Sequence, residues 1–343
     1  MQRCIDLANN GLGHTYPNPL VGSVIVCNNK IIGEGYHTKS GENHAEVNAI
    51  NSVKDKSLLE KSTIYVSLEP CSHFGKTPPC ADFIIKNKIP KVVIGTIDTF
   101  SEVCGRGIKK LKDAGCDVTI GVLENECKEI NKRFFTFHQK KRPYVIIKWA
   151  QSFDGFISIT RQKYSKPQPY WISNETSKIL SHKWRSEEQA IIVGKNTAFS
   201  DNPKLDVRDW AGQSPLRIVI DKKLELNKNL HLLDDTVKTL VFNNFENKFS
   251  KSLMTEYCKI DFSSDIISQI LNVLYQKQIQ SLIVEGGTFL INSFYNSGFW
   301  DEIYVTFGKI ILNSGISAPK IQGKLISNQK IDTNILFNYK NII

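Results

Sequence analysis

No apolar run in this 343-residue chain approaches the roughly 20 residues a bilayer-crossing helix needs; the longest, such as 20–27 and 144–147, fall far short. A membrane span is therefore not expected. No block of five like charges occurs, which argues against a polyionic tail. No self-similarity at a period of 20 to 50 residues is visible, which excludes a solenoid. The second half lacks the Gly-x-Gly-x-x-Gly fingerprint of the usual dinucleotide fold. Asp6, Asn9 and Asn10 stand where a secretory signal would carry its apolar core, which points to the cytoplasm. In that reducing compartment the eight cysteines are expected as thiols, and a cluster of them reads as a metal or catalytic site.

What is present is ordinary globular material, 41% hydrophobic and 23% charged. At about 150 residues per domain the length predicts two domains. The net charge of +10 suits phosphate-bearing ligands or nucleic acid, and compositional drift explains it equally well. Apolar periodicity predicts a helix over 3–10, strands over 21–26 and 31–35, and a helix from about residue 44. A strand over 63–68, a helix after Cys80, a strand over 91–97, a helix over 108–114 and a short strand near Val118 follow. The polar basic stretch HQKKRP at 138–143 breaks the pattern and is the linker candidate, giving domains 1–140 and 143–343. Beyond it the alternation resumes: strands over 144–150, 189–194, 217–221, 239–242 and 281–285, helices over 175–185 and 266–276, and a helix opening at 286–287. A last strand pair follows Glu302. Both halves thus read as α/β, a sheet covered by helices.

The strongest chemical signal is HAE at 44–46 followed by Pro-Cys at 70–71 and at 79–80. His44, Cys71 and Cys80 form a donor set that suits zinc, and three protein ligands leave a fourth position for water, as in a catalytic site. Glu46, near the start of a helix, can carry a proton from that water to a departing amine. Pro70, Pro78 and Pro79 stiffen the loop, and Cys80 opens a helix whose N-terminus favours a thiolate. Two readings compete: a pair of ordinary buried cysteines with an exposed histidine, and a structural zinc closed by His73 as fourth ligand. In the second half, SLIVE at 281–285 runs into GGTFLINS at 286–293, placing two glycines and free N–H groups where a pyrophosphate can sit, although a tight turn accounts for the glycines alone. Gly105 and Gly107 read as a turn before a helix rather than as a phosphate loop.

The His-x-Glu with its Pro-Cys and second Cys resembles the cytidine and deoxycytidylate deaminase superfamily. The eight residues between Cys71 and Cys80, with TYPNPLVG at 15–22, GEGYH at 33–37 and LEPCSHFGKTPPC at 68–80, narrow the likeness to the deaminase half of the bifunctional riboflavin-biosynthesis family. KWAQSFDG at 148–155, WIS at 171–173, VGKNTAFSDNPKLDVR at 193–208 and VEGG at 284–287 resemble its reductase half. The resemblance implies a cytidine-deaminase-like three-layer α/β/α domain followed by a dihydrofolate-reductase-like α/β domain, with Zn2+ and NADPH as cofactors. It implies deamination of 2,5-diamino-6-ribosylamino-4(3H)-pyrimidinone 5′-phosphate and then reduction of its ribosyl chain. Asn18 would meet the pyrimidine edge, and Lys148, Arg185, Leu205, Arg208 and Glu285 would hold the reductase substrate. Arg185 and Arg208 suit a ribose phosphate because guanidinium donates in a planar fork. Lys148 and Asp154 flank the end of the domain's first strand, where α/β proteins place ligand groups. Ala150, Trp171, Thr197, Asp201 and the segment Gly287, Thr288, Phe289, Leu290, Ile291, Asn292 and Ser293 would line the NADPH site. The partners implied are a small phosphorylated pyrimidine and further copies of the chain, with no nucleic acid and no membrane.

The chain departs from that pattern in two places. Phe100 stands where the family reads asparagine, and TRQKYSKPQPYW at 160–171 replaces a short Gly-x-Ser-x-Trp approach, with Pro169 at the serine position. The rival readings are a nucleic-acid base deaminase of the tRNA type and a non-catalytic zinc-stabilised nucleotide sensor.

Overall fold

Apolar side chains on both faces build the central strands, and each unit lays helices against the two faces of one sheet. The structure, a computed structural model, describes residues 1–72, 78–98, 105–160 and 167–342, and it divides into Met1–Lys141 and Arg142–Ile343. The first unit runs α1 (Gln2–Asn9), β1 (Gly22–Cys27), β2 (Lys30–Tyr36), α2 (Ala45–Ser52), β3 (Thr63–Leu68), α3 (Cys80–Lys86), β4 (Lys91–Thr96), α4 (Arg106–Asp113), β5 (Asp117–Ile120), α5 (Glu124–Ile130) and α6 (Lys132–Lys140). Its sheet has the order β2-β1-β3-β4-β5, with β1 antiparallel to both neighbours and β3, β4 and β5 parallel. Asn28 and Asn29, both at positive φ, close the β1–β2 hairpin as a two-residue turn whose twist matches the strands.

Ile25, Ile64, Val66, Val92 and Ile94 point to one face and meet Ala49 and Ile50 of α2, Ala81 and Ile84 of α3, and Ile108 and Leu111 of α4. Val24 and Tyr65 point to the other face and meet Cys4 and Leu7 of α1. On that second face a Cβ at Gly95 would stand 2.3 Å from Cys127 Sγ of α5, so glycine allows the helix its approach. This is the expected three-layer arrangement.

The second unit runs β6 (Tyr144–Gln151), β7 (Phe156–Ser158), α7 (Glu175–Glu187), β8 (Ala190–Gly194), α8 (Lys195–Asp201), β9 (Leu216–Ile220), β10 (Thr239–Asn243), β11 (Lys248–Phe249), β12 (Thr255–Lys259), α9 (Ile266–Gln276), β13 (Ser281–Val284), α10 (Thr288–Asn296), β14 (Glu302–Phe307), β15 (Ile316–Ser317), β16 (Lys324–Ile331) and β17 (Asn334–Lys340). Its ten-stranded sheet has the order β11-β12-β10-β9-β8-β13-β6-β14-β17-β16, and the seven strands from β12 to β14 are parallel. Val145, Ile147, Ile192 and Val284 meet α9 and α10 on one face, while Ile191, Val193, Val219 and Ile283 meet Ala198 of α8 and the loop leucines 205, 226 and 230 on the other. Burial on both faces explains the nearly continuous apolar runs of these strands.

The stretch expected as a polar linker differs from expectation. Phe134, Phe135 and Phe137 are buried and carry α6 on to Lys140; the His138 ring lies 4.3 Å from that of Phe134. Lys141 then takes a left-handed conformation and ends the helix. Arg142, the next residue, is buried in the second unit, where Asp301 accepts its guanidinium at 2.6 and 2.9 Å.

Candidate active sites

In the first unit α2 and α3 start from the same edge of the sheet, and their first residues form a metal-type cluster. His44 caps α2 and Cys80 opens α3. One ligand atom each from His44, Cys71 and Cys80 lies within 4.8 Å of the others. His44 Nδ1 is 3.6 Å from Cys71 Sγ and 3.3 Å from Cys80 Sγ. Ligands of a tetrahedral zinc at bond lengths of about 2.0 to 2.3 Å stand roughly 3.5 to 3.8 Å apart, so this donor set fits the ion.

The backbone N–H of Cys80 donates to Cys71 Sγ at 3.3 Å. The Cys80 thiol first, then His44 and this N–H, draw the Cys71 thiol down to about 4 against its burial, while the shared proton raises Cys80. Glu46 is buried beside them, and burial, with the Cys71 charge adding, pushes its carboxyl up to about 7. Of the two competing readings, an exposed histidine beside unrelated cysteines does not describe this arrangement. His73 lies outside the described residues.

Asn18 stands at the same edge. His37, buried, gives its Nδ1–H to the Asn43 carbonyl at 3.1 Å, which leaves Nε2 to accept from Asn18 Nδ2 at 3.0 Å. The His37 ring meets that of His44 edge to face at 5.3 Å, so the asparagine is tied to the metal cluster through one imidazole. Among the described residues Asn18 Oδ1 has no partner and is left as an acceptor.

In the second unit the strands β8, β13 and β6 are parallel neighbours, and their C-terminal ends form the crevice where such sheets bind ligands. Glu285 follows β13 directly and lies 3.5 Å from Lys148 Nζ of β6 and 3.1 Å from Arg185 Nη2 of α7. Burial alone would raise the Glu285 carboxyl, but Arg185 and Lys148 overcome it and hold it down at about 2. Burial lowers the Lys148 amine, against the pull of Glu285. Arg185 Nε is buried without a partner among the described residues, a donor left over for a ligand.

The loop after α8 packs back on α7. The Asp206 carbonyl accepts from Arg185 Nη1 at 3.5 Å, and His182 Nδ1 accepts from the Arg208 N–H at 3.4 Å. Leu205, at φ +52 and buried in the core, anchors this loop through its side chain, so its ligand contacts are left to its backbone. Arg208 reaches Asp206 at 2.5 Å and remains more than a third exposed. The Asp154 carboxylate accepts from the N–H groups of Leu312 and Asn313 and so pins a neighbouring loop.

The glycine turn has the geometry a nucleotide phosphate needs. Gly286 sits at φ +123 with Thr197 Oγ1 only 3.0 Å from where a Cβ would be, and the Gly287 N–H donates to that hydroxyl at 3.0 Å. The first-turn N–H groups of α10, at Thr288, Phe289 and Leu290, have no carbonyl within the helix to meet. This cradle fits a dinucleotide phosphate. Phe289 is 88% exposed and Trp171 is 54% exposed, two rings presented to solvent, with Lys178 Nζ 5.5 Å over the indole. Leu290 and Ile291 are buried in the sheet core, and Ser293 returns its hydroxyl to the Phe289 carbonyl, so the later part of that segment serves the helix. Ala150 pairs with Thr306 in the sheet, and Asp201 accepts from the Ser200 hydroxyl. Phe100 and residues 161–166 lie outside the described residues. Sequence reasoning passed over His37, Glu69 and His182. For the first two, their places inside GEGYH and LEPC were the available signal.

A His-Cys-Cys cluster beside a buried glutamate, followed by a separate unit with a phosphate cradle and a buried Lys-Glu-Arg trio, defines a two-headed enzyme, deaminase then reductase. The model of the cytidine and deoxycytidylate deaminase zinc-binding region matches residues 1–96, and that of the RibD C-terminal domain matches 143–335. The riboflavin biosynthesis protein RibD of Aquifex aeolicus is 38% identical, with 98% of this chain and 97% of that protein covered. That of Bacillus amyloliquefaciens is 36% identical over 96% of this chain and 89% of its own length. The crystal structure of a diaminohydroxyphosphoribosylaminopyrimidine deaminase/5-amino-6-(5-phosphoribosylamino)uracil reductase from Thermotoga maritima matches with a TM-score of 0.89 at 33% identity, covering 99% of this chain and 97% of that one. The chain belongs to the RibD family, the bifunctional deaminase–reductases of riboflavin biosynthesis. Among the described residues no helix is long and apolar enough to cross a membrane.

Proposed function

We propose that the N-terminal unit hydrolyses the 2-amino group of 2,5-diamino-6-ribosylamino-4(3H)-pyrimidinone 5′-phosphate and that the C-terminal unit reduces the ribosyl chain of the product to ribityl, with Zn2+ and NADPH as the cofactors. The observation that carries the reading is the buried Glu46 carboxyl alongside three converging ligand atoms. His44 Nδ1, Cys71 Sγ and Cys80 Sγ would hold the zinc, which when bound would supply a Lewis acid able to activate water at neutral pH. Asn18 orients the pyrimidine edge through its amide. Glu46 accepts the proton that water gives up on attacking the amidine carbon and delivers it to the departing nitrogen, so that ammonia leaves and a carbonyl remains.

In the second unit the cradle at Gly286 and Gly287 and the start of α10 would hold the nucleotide, whose chemistry when bound would be hydride donation to C1′ of the opened sugar. Arg185, through its spare Nε–H, and Arg208 bind the ribose phosphate. Lys148, buried and facing Glu285, is the group able to give a proton to the ring oxygen as the sugar opens, before the resulting imine is reduced at C1′. A cytoplasmic setting suits the zinc site, since it keeps Cys71 and Cys80 reduced.

The test feeds the diaminopyrimidinone phosphate to the purified chain and follows ammonia release and NADPH oxidation together. Both are expected, in that order. Ammonia without NADPH loss would refute the reductase reading, and neither would refute the whole.

A further inference from the structure

β3 and β4 are parallel neighbours, Leu68 paired with Thr96, so Glu69–Cys71 and Ile97–Asp98, which leave them, start side by side at the crevice edge where Cys71 stands. Glu69, the first residue past β3, gives its N–H to the Thr96 carbonyl at 3.0 Å, and its side chain is buried. A buried carboxylate requires compensation, and among the described residues no cation pairs with this one. Four backbone N–H groups do the work instead. Oε2 accepts from Gly105 at 3.0 Å and Asp98 at 3.4 Å; Oε1 accepts from Gly107 at 3.0 Å and Ile108 at 3.3 Å.

Gly107 and Ile108 belong to the first turn of α4, whose N–H groups find no carbonyl within the helix. Gly105 caps that helix at φ +75. The approach is close: a Cβ at Gly107 would stand 2.0 Å from the carbonyl oxygen of Pro70, the residue before Cys71. One side chain therefore ties Asp98, at the end of β4, and the start of α4 to the strand end that carries a metal ligand.

We propose that Glu69 is a positioning residue of the deaminase centre: its carboxylate clasps Asp98 and the start of α4 at 105–108 against Pro70–Cys71, and so sets how tightly the pyrimidine is held. The role rests on the deaminase reading above. None of the four bonds goes to a metal ligand, so loosening the clasp frees Asp98 and the start of α4 and leaves the metal ligands in place. Glu69→Gln has the same shape but turns one oxygen into an NH2 that faces two N–H donors, so half the clasp becomes repulsive.

In the full zinc-loaded chain, Glu69→Gln is expected to raise the KM for ammonia release about ten-fold with kcat changed by no more than about three-fold. Zinc content and NADPH oxidation with the deaminated substrate should match wild type, which separates the effect from a loss of fold. Hydrogen exchange gives a readout independent of turnover, because the amides of Gly105, Gly107 and Ile108 should exchange faster in the variant. A KM within about two-fold of wild type, unchanged exchange at those amides, or loss of zinc with KM unaltered overturns the proposal. If Glu69→Gln does not fold, Glu69→Asp, which keeps the charge but retracts it by one methylene, carries the same expectation in smaller measure. A wild-type chain that releases no ammonia overturns the deaminase reading and this role with it. A wild-type chain that does, with the variant indistinguishable from it, overturns the role alone.

Discussion

Replacing Glu285 by glutamine tests the electrostatics of the reductase crevice, because the carboxylate lies between Lys148 and Arg185 with only 14% of its side chain exposed. Its pKa falls from an ordinary 4.5 to about 2 in the fold. A depressed acid contributes stability that is fully present above the unfolded value and is lost as pH falls toward the folded one. That shift corresponds to about 3 kcal/mol at pH 7 and to roughly 1 kcal/mol at pH 3. Burial of the Lys148 ammonium offsets part of this, since the same desolvation that lowers its pKa disfavours the charged lysine. The net gap between wild type and Glu285→Gln should therefore be about 2 kcal/mol at pH 7. All five tryptophans, Trp149, Trp171, Trp184, Trp210 and Trp300, lie in the second unit, so urea unfolding followed by indole fluorescence reads that unit alone. The gap should be constant from pH 7 to about 5.5 and narrow as pH drops through 4.5 toward 3. A gap that does not change across that window, or none at pH 7, would show that the trio is not the charge-compensated cluster its distances describe.

Three further outcomes are expected. Glu46→Gln should retain zinc by metal analysis while ammonia release falls by about 10² to 10⁴-fold, since the ligand atoms are untouched and only the proton carrier is lost. Arg208→Ala should raise the reductase KM for the phosphorylated substrate by roughly ten-fold or more, and much less for the dephosphorylated one, because a charge-assisted phosphate contact disappears; equal effects on both would remove Arg208 from the phosphate site. Gly286→Ala adds a Cβ 3.0 Å from Thr197 Oγ1 at a left-handed φ, which costs about 1 to 2 kcal/mol. NADPH titration should show weaker binding while ammonia release stays at the wild-type rate.

The metal cluster was legible because its chemistry is rare and its residues announce themselves: His44, Glu46 and the two Pro-Cys pairs have few ordinary explanations, and the structure brings the three ligand atoms together. Strands such as Thr63–Leu68 and the helix Ile266–Gln276 emerged at their true limits because apolar periodicity and burial coincide there. α6 did not emerge at all. The charges of its last turn read as loop, whereas three buried phenylalanines one turn earlier decide the matter. β12 was missed because it is mostly half-buried near the sheet edge, where the alternation is weak. Long-range hydrogen bonds were invisible for a different reason. Nothing in LEPC tells that Glu69 meets residues 36 to 39 positions away, because backbone N–H groups have no signature in the sequence.

The two buried glutamates show how one topological device serves different ends. Glu69 follows β3 and Glu285 follows β13, and each donates its N–H at 3.0 Å to a carbonyl of the neighbouring parallel strand, Thr96 and Ile192 respectively. Both side chains thereby start from the same place, the C-terminal edge of a sheet, where ligands bind. What neutralises them differs. Backbone N–H groups are fixed by the fold and cannot turn to a ligand without breaking the chain's own order, so Glu69 is held permanently and can only position. Lys148 and Arg185 are side chains with rotamers and spare donors, so the partners of Glu285 can share themselves with a phosphate or a sugar oxygen as substrate arrives. A glutamine at 69 should therefore act mainly on substrate affinity. At 285 it should act on stability, on its pH dependence and on turnover together.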